Sequence, residues 1–203
     1  LDHVFLIQQA NKQEEVKEKK IEATEEQKTT LINLYSWATI LPKELIDLKN
    51  KINNEKRIKR VQEALPRLTT EIEDIRWDTT MAQTSPEIQA FQVTTLQTKT
   101  QKFGVRLEKN TEPINSNISF WSETRKEWMS KKEQILRIDE QEEITMVLGV
   151  EQHKVLIETV DEAIELIEKH LALILLTGKK IGDLQIVLYT IDSDLQSLDI
   201  ELK

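Results

Sequence analysis

The sequence predicts an all-α fold: an elongated antiparallel helical bundle or coiled-coil hairpin built from long kinked helices. Three observations carry this. Apolar residues recur at alternating steps of three and four, the spacing that lines one face of a helix; the clearest run is Ile181, Leu184, Leu188, Ile191, Leu195, Leu198 and Leu202. Gly and Pro number only four each in 203 residues, so few turns are available. Hydrophobic residues make up 38%, charged residues 32% and aromatics 5%, a balance that suits amphipathic helices and leaves little to build a sheet.

The chain opens with apolar Val4 to Ile7 and then turns charged, with only Val16 and Ile21 as a stripe, so the first helix is thinly buried. Leu31, Leu34, Ala38, Leu41, Leu45, Leu48 and Ile52 restore the spacing, with Pro42 inside the run. Proline removes a donor and clashes one turn back, so a kink or a one-residue break is expected there. "NKINNEK" interrupts the pattern, and the first reversal is placed at Asn53–Asn54. This gives an N-terminal segment, 1–54, and a long-helix domain, 55–203, with one continuous domain as the alternative.

Ile58, Val61, Leu65, Leu68, Ile72 and Ile75 form the next stripe, with a second kink or a helix restart expected at Pro66. "AQTSPEIQ" carries a turn and a helix start: Ser85 as N-cap, Pro86 as first helical residue, Glu87 favouring the dipole. From there Phe103, Leu107, Ile114, Ile118, Trp121, Trp128 and Ile135 keep register through "NTEPINSN", which predicts a distorted but continuous helix across Pro113. "RIDEQEE" reads as the last reversal, with Asp139 as cap. A helix from 140 to 202 would be on the order of 90 Å long. Its stripe reads Ile157, Val160, Ile164, Ile167, Leu171, Ile174, Gly178, Ile181, and the two short steps from Gly178 to Leu184 predict a stammer. The 181–202 seam is expected to be buried on the Leu31–Ile52 stripe, on the Val4–Ile7 cluster, or on a second copy.

Little chemistry is on offer. The absence of Cys excludes disulfides and thiolate chemistry. His3, His153 and His170 fall at no metal-ligand spacing, and His170 beside the stripe reads as a half-buried structural residue. Acidic groups such as Glu140, Glu142 and Glu143, or Asp192 and Asp194, sit on helical surface rather than in a cleft. No catalytic residue, cofactor or metal is expected. Asn117 opens an "NIS" sequon, a weak signal. Trp37, Trp77, Trp121 and Trp128 read as core knobs, with a docking patch as the alternative. Net charge is −8, concentrated at the end: residues 139–203 hold 15 acidic and 5 basic side chains, net −10. That acidity opposes nucleic acid and anionic lipid headgroups. "LALILLTG" is far short of the roughly 20 residues that span a bilayer. The chain begins without Met and reads as a fragment, with protein partners or self-association through its seams and no small-molecule substrate.

"ALPRLTTEIEDI", the turn with "SPEIQAFQ", and the helix ending "SFWSETRKEWMSKKEQI" together resemble the N-terminal extracytoplasmic region of large MscS-type mechanosensitive channels. In that family an "LPxLxxEI" helix precedes a Ser-headed long helix that closes with "LxxLRxxW". Leu65, Pro66, Leu68 and Ile72 match the first landmark; Arg125 and Trp128 match the last. "ILPKELIDLKNKI" is similar to the family's lead-in, and the resemblance spans about residues 40–203. The chain departs from the family in having Leu96 and Phe103 where tryptophans are usual, and in Pro113. The resemblance implies a non-enzymatic periplasmic domain of an inner-membrane channel, acting in assembly or mechanical coupling, with the membrane helices outside this sequence. The alternatives are a ligand-sensing helical domain of a bacterial receptor, with a pocket lined by Trp and Arg, and a cytosolic coiled-coil adaptor.

Overall fold

A computed structural model describes residues 2–85, 87–139 and 149–203. Four helices account for nearly all of them: α1 Asp2–Asn53, α2 Lys56–Thr84, α3 Ala90–Asp139 and α4 Val150–Glu201, with no strand among the described residues. The fold is an all-α helical bundle, as the periodicity predicts. No helix among the described residues is long and apolar enough to cross a membrane.

The chain divides into two compact units. Unit 1 comprises Leu1–Asn50 and Glu127–Glu165; unit 2 comprises Lys51–Lys126 and Leu166–Lys203. Unit 1 is assembled from segments of three helices, and unit 2 from three with the end of α1 added, so the expected hairpin gains a third helix in both.

In unit 1 the α1 stripe is buried at Leu34, Leu41, Leu45 and Leu48, with Trp128 and Ile135 from α3 and Leu156, Val160, Ala163 and Ile164 from α4. Ion pairs flank that core: Glu44 with Lys131 at 2.9 Å, Lys49 with Glu162 at 2.6 Å, and Lys132 with Asp161 at 2.8 Å. Such half-exposed pairs stabilise by about 0–1 kcal/mol each, so their main effect is on register. Leu31 and the Val4–Ile7 cluster lie outside the described side chains.

In unit 2, α3 and α4 run antiparallel. As the α3 position falls from Arg125 through Thr111, its α4 partner rises from Glu168 to Gln185. Close packing at Gly178 continues the register: a Cβ there would lie 3.1 Å from Ile114. α2 is antiparallel to α3, with Arg57 on Glu112 and Glu71 on Arg106. It is therefore parallel to α4, and Gln62 donates to Thr177 Oγ1 at 3.4 Å.

The structure corrects four local expectations. The first concerns Asn53–Asn54, where the helix breaks without a reversal. Lys51 lies over Phe120 and Arg57 pairs with Glu112, so the chain keeps advancing along α3 in one direction. Glu55 is the N-cap, extended at φ −72 and ψ 90, and it accepts from the Arg57 N–H at 3.1 Å. Among the described residues no non-glycine residue has positive φ, so neither Asn53 nor Asn54 takes the left-handed conformation that a tight C-terminal reversal commonly uses.

The second is Ser85, which caps the end of α2 by donating its N–H to the Ala82 carbonyl. α3 starts at Ala90, where the Gln92 side chain reaches back to the Gln89 N–H at 3.0 Å, half of a capping box. Pro86 lies outside the described residues. The third is Asp139, which ends α3. Residues 140–148 lie outside the described residues, and α4 opens at Gly149, whose φ of +87 is open to glycine at little cost and whose carbonyl accepts from His153 N–H at 3.2 Å.

The fourth is the stammer, which does not form. The inward positions of α4 run Ile167, His170, Ile174, Thr177, Ile181, Leu184 without a phase shift, while Leu171 and Gly178 are only half-buried.

Pro42, Pro66 and Pro113 all lie inside continuous helices. Short polar side chains bond to nearby helical carbonyls beside them: Thr69 Oγ1 to Leu65 O at 2.8 Å, and Asn117 Nδ2 to Pro113 O at 2.8 Å. These are back-bonds to the carbonyl one turn earlier; the carbonyls that Pro66 and Pro113 leave without a backbone donor are those of Gln62 and Lys109.

Candidate functional site

The seam at the end of α4 is built as the spacing predicts, with two exceptions. Ile181, Leu184, Ile191, Leu195 and Leu198 are buried; Leu188 is half-buried and Leu202 is 39% exposed in the last turn. The partner differs from expectation. The seam packs inside unit 2, with α2 and the first part of α3, whereas Leu34 to Leu48 belong to unit 1. Leu188 reaches the α3 backbone at Gly104, where a Cβ would stand 3.4 Å from its Cδ2. Continuing the register places Leu195 near the level of Thr79 on α2 and Leu96 on α3, both buried. The physical reason is continuity: α2 and α3 already flank α4 at Thr177 and Ile114, and straight neighbours stay neighbours along the next turns.

A polar layer interrupts the aliphatic core one turn and more before that seam. Asn117 is only 7% exposed; its Nδ2 donates to Pro113 O and its Oδ1 accepts from Trp121 Nε1 at 3.3 Å. A glycan would have to attach at that same nitrogen, so the sequon is structural in this fold. Trp121 is fully buried and meets His170 edge to face, with ring centroids 5.0 Å apart and planes at 81°. His170 is 8% exposed, and its Nε2 has no hydrogen-bond partner. Burial pushes the imidazole below the usual histidine range, and the Glu55 carboxylate pulls it partly back. Just outside, Arg125 closes on one Glu168 oxygen through Nε at 3.0 Å and Nη2 at 2.8 Å.

The landmark residues divide by role. Leu65, Leu68 and Ile72 are core residues of α2. Pro66 faces outward. Arg125 belongs to unit 2 and makes the pair with Glu168. Trp128 is buried in unit 1, with Lys131 Nζ 4.7 Å from its ring centroid. Of the remaining tryptophans, Trp77 is 66% exposed and Trp37 half-buried, so only two of the four are core knobs.

Between α2 and α4 runs an open groove of about 590 Å³. Gln62, Leu65, Pro66 and Thr69 form one wall. Leu173, Leu176, Thr177, Lys180, Asp183 and Leu184 form the other. This lining has neither the Trp nor the Arg that the receptor-sensor reading expects. Among the described residues, no group of three or more His, Cys, Asp or Glu is placed to hold a metal ion.

His170, Thr177, Thr100 and Asn117 are among the core residues that apolar periodicity passes over. Their signal was present as spacing: each keeps the three-four rhythm once polar residues are admitted. The threonines qualify because Thr100 and Thr177 donate to the carbonyls one turn back, at 2.7 and 2.8 Å, and turn only a methyl to the core. Comparison of the chain with protein-family models, with curated proteins and with solved structures finds no match.

Proposed function

We propose that this chain is a non-enzymatic helical scaffold or mechanical-coupling module in the extracytoplasmic part of a bacterial inner-membrane protein. One observation carries the reading: the inward positions of α4 follow one uninterrupted rhythm from His153 to Leu198, with α2 and α3 matching it. A helix core with one phase has no built-in slip point, so load applied at one end of a helix is shared by many side chains. The ion pairs that flank the core, Arg125 with Glu168 and Arg57 with Glu112 among them, add register rather than much stability. The resemblance to large MscS-type channels supplies the host, and with it a role in channel assembly or in conveying envelope strain.

The test is the reading frame and its product. The coding sequence downstream of Lys203 should encode membrane-spanning helices, and the full-length protein should sediment with the inner membrane. Excising residues 1–203 should leave channel current in patch recordings while moving the tension at which it opens. A full-length product without membrane spans would move the assignment to a cytosolic coiled-coil adaptor.

A further inference from the structure

We propose that unit 2 pairs with a second copy of this chain through the α2–α4 groove, the two copies antiparallel about a two-fold axis beside Pro66 and Ile181. The inference is independent of the host protein proposed above.

The groove has the composition of a covered surface. Leu173 and Leu176 are 44% and 52% exposed along it, next to outward-facing Pro66. The stretch from Leu171 to Leu176 is apolar all round its helix, a pattern that normally means burial on every side. The inner side of this turn faces the unit 2 core, and the groove side is left open.

The charges name the occupant. In an antiparallel two-fold pairing, residues equally far from the axis on either side meet across it, so the face must be complementary to itself. Along α2, the groove face continues in both directions at helical spacing to Lys59 and Glu73, each seven residues from Pro66. An axis at Pro66 therefore brings Lys59 to Glu73 of the second copy. Along α4, Lys180 and Asp183 lie on the groove, so an axis midway between them, between Ile181 and Gly182, brings Lys180 to Asp183 of the second copy. These two axes were located on different helices, yet they agree to within about half a residue. The hydrogen bond from Gln62 to Thr177 sets the α2–α4 register, and the same offset puts Pro66 level with Ile181. The shared axis also sets Leu176 against Val187 of the second copy. A parallel two-fold pairing would instead set α2 against α4 of the second copy, with Lys59 at the level of Ile174 and Lys180 at that of Leu65, so neither lysine would meet a carboxylate. Glu73 now pairs with Arg76 on its own helix at 2.7 Å, but both side chains are about half exposed and such a pair exchanges readily.

Sedimentation velocity on the full chain, from about 1 µM to about 1 mM, tests this across the range where a micromolar dimer forms. The parent should dimerise. Lys180→Asp and Asp183→Lys, each alone, should weaken the dimer about tenfold or more, because each makes a like-charge contact twice. The charge swap carrying both should restore it. Leu176→Asp should abolish it, while Ile186→Asp, an exposed position outside the groove lining, should leave it unchanged. All four substituted positions are on the surface or groove rim, and helicity by circular dichroism should match the parent. A parent that stays monomeric at the highest concentration overturns the proposal, even if some other helix docks in the groove. So does a dimer indifferent to the single charge reversals, or a swap that fails to restore it.

Discussion

Two stretches of α4 fill one core by different means. From Ile181 to Leu198 its buried residues are all aliphatic; from Ile167 to Thr177 they alternate Ile, His, Ile, Thr. The aliphatic stretch is the stronger source of stability, since burying each such side chain is worth about 1.5–3 kcal/mol. The polar stretch gives less transfer free energy but tolerates fewer arrangements. Gln62 must find Thr177 across α2 and α4, and Trp121 must meet His170 across α3 and α4. A shift of one helical turn would break both contacts, whereas the Thr177–Leu173 and Trp121–Asn117 bonds lie within single helices and would survive it. We hypothesise that the aliphatic stretch holds unit 2 together and the polar one fixes its register, a division that substitutions can break.

The largest expected effect is at Leu195. Leu195→Asp buries an unpaired carboxylate and should lower unfolding free energy by about 4 kcal/mol or more, measured by urea titration followed by circular dichroism. Leu202→Asp, on the same stripe but exposed, should change it by less than about 0.5 kcal/mol. Equal midpoints for the two variants would show that the stripe is not a buried seam.

Next comes Trp121. Truncation to alanine removes the largest buried side chain of the polar stretch and should cost about 3–5 kcal/mol, against about 0.5 kcal/mol or less for exposed Trp77→Ala. Fluorescence should agree: the blue-shifted part of the parent spectrum, carried by buried Trp121 and Trp128, weakens only in the first variant. If Trp77→Ala destabilises as much as Trp121→Ala, the assignment of core and surface indoles fails.

His170 sharpens the comparison through pH. Burial lowers its folded-state pKa, so the native protein holds a neutral imidazole while the unfolded chain takes up a proton as pH falls below about 6.5. Its contribution is fully present above that unfolded value and is lost as pH falls toward the folded one. Urea midpoints should therefore drop between neutral pH and about pH 5, and His170→Leu should remove that part of the drop. A drop of equal size in His170→Leu would assign it to other groups.

The smallest effect belongs to Asp192, beside the aliphatic stretch. Burial raises its pKa, so the native state prefers it protonated and pays a small penalty for its charge above the folded pKa. The sign is opposite to His170: stability rises as pH falls through the folded value. Asp192→Asn should raise the midpoint slightly at neutral pH and make no difference in acid. A lower midpoint at neutral pH would contradict it.

Much of this was legible in residue spacing. The repeats that place Ile58 to Ile75, Phe103 to Ile135 and Ile181 to Leu198 on inner faces follow from the pitch of the helix, which any segment carries within itself. The continuity of α3 across Pro113 was legible for the same reason: the apolar residues on both sides share a phase. Three matters were not local. His170 entered the core against Trp121, which lies 49 residues away in the chain, whereas Asn117 and the core threonines bond to carbonyls one turn back on their own helices. The break at Asn54 kept its direction because α3 lay alongside to receive both Lys51 and Arg57. The seam found α2 and α3 rather than α1 because the register was already set at Thr177 and Ile114. Sequence determined which face of each helix seeks cover, since that depends on hydrophobicity and pitch alone. Only the tertiary structure decided which partner covers it and which polar groups go inside, because those depend on contacts between residues far apart in the chain.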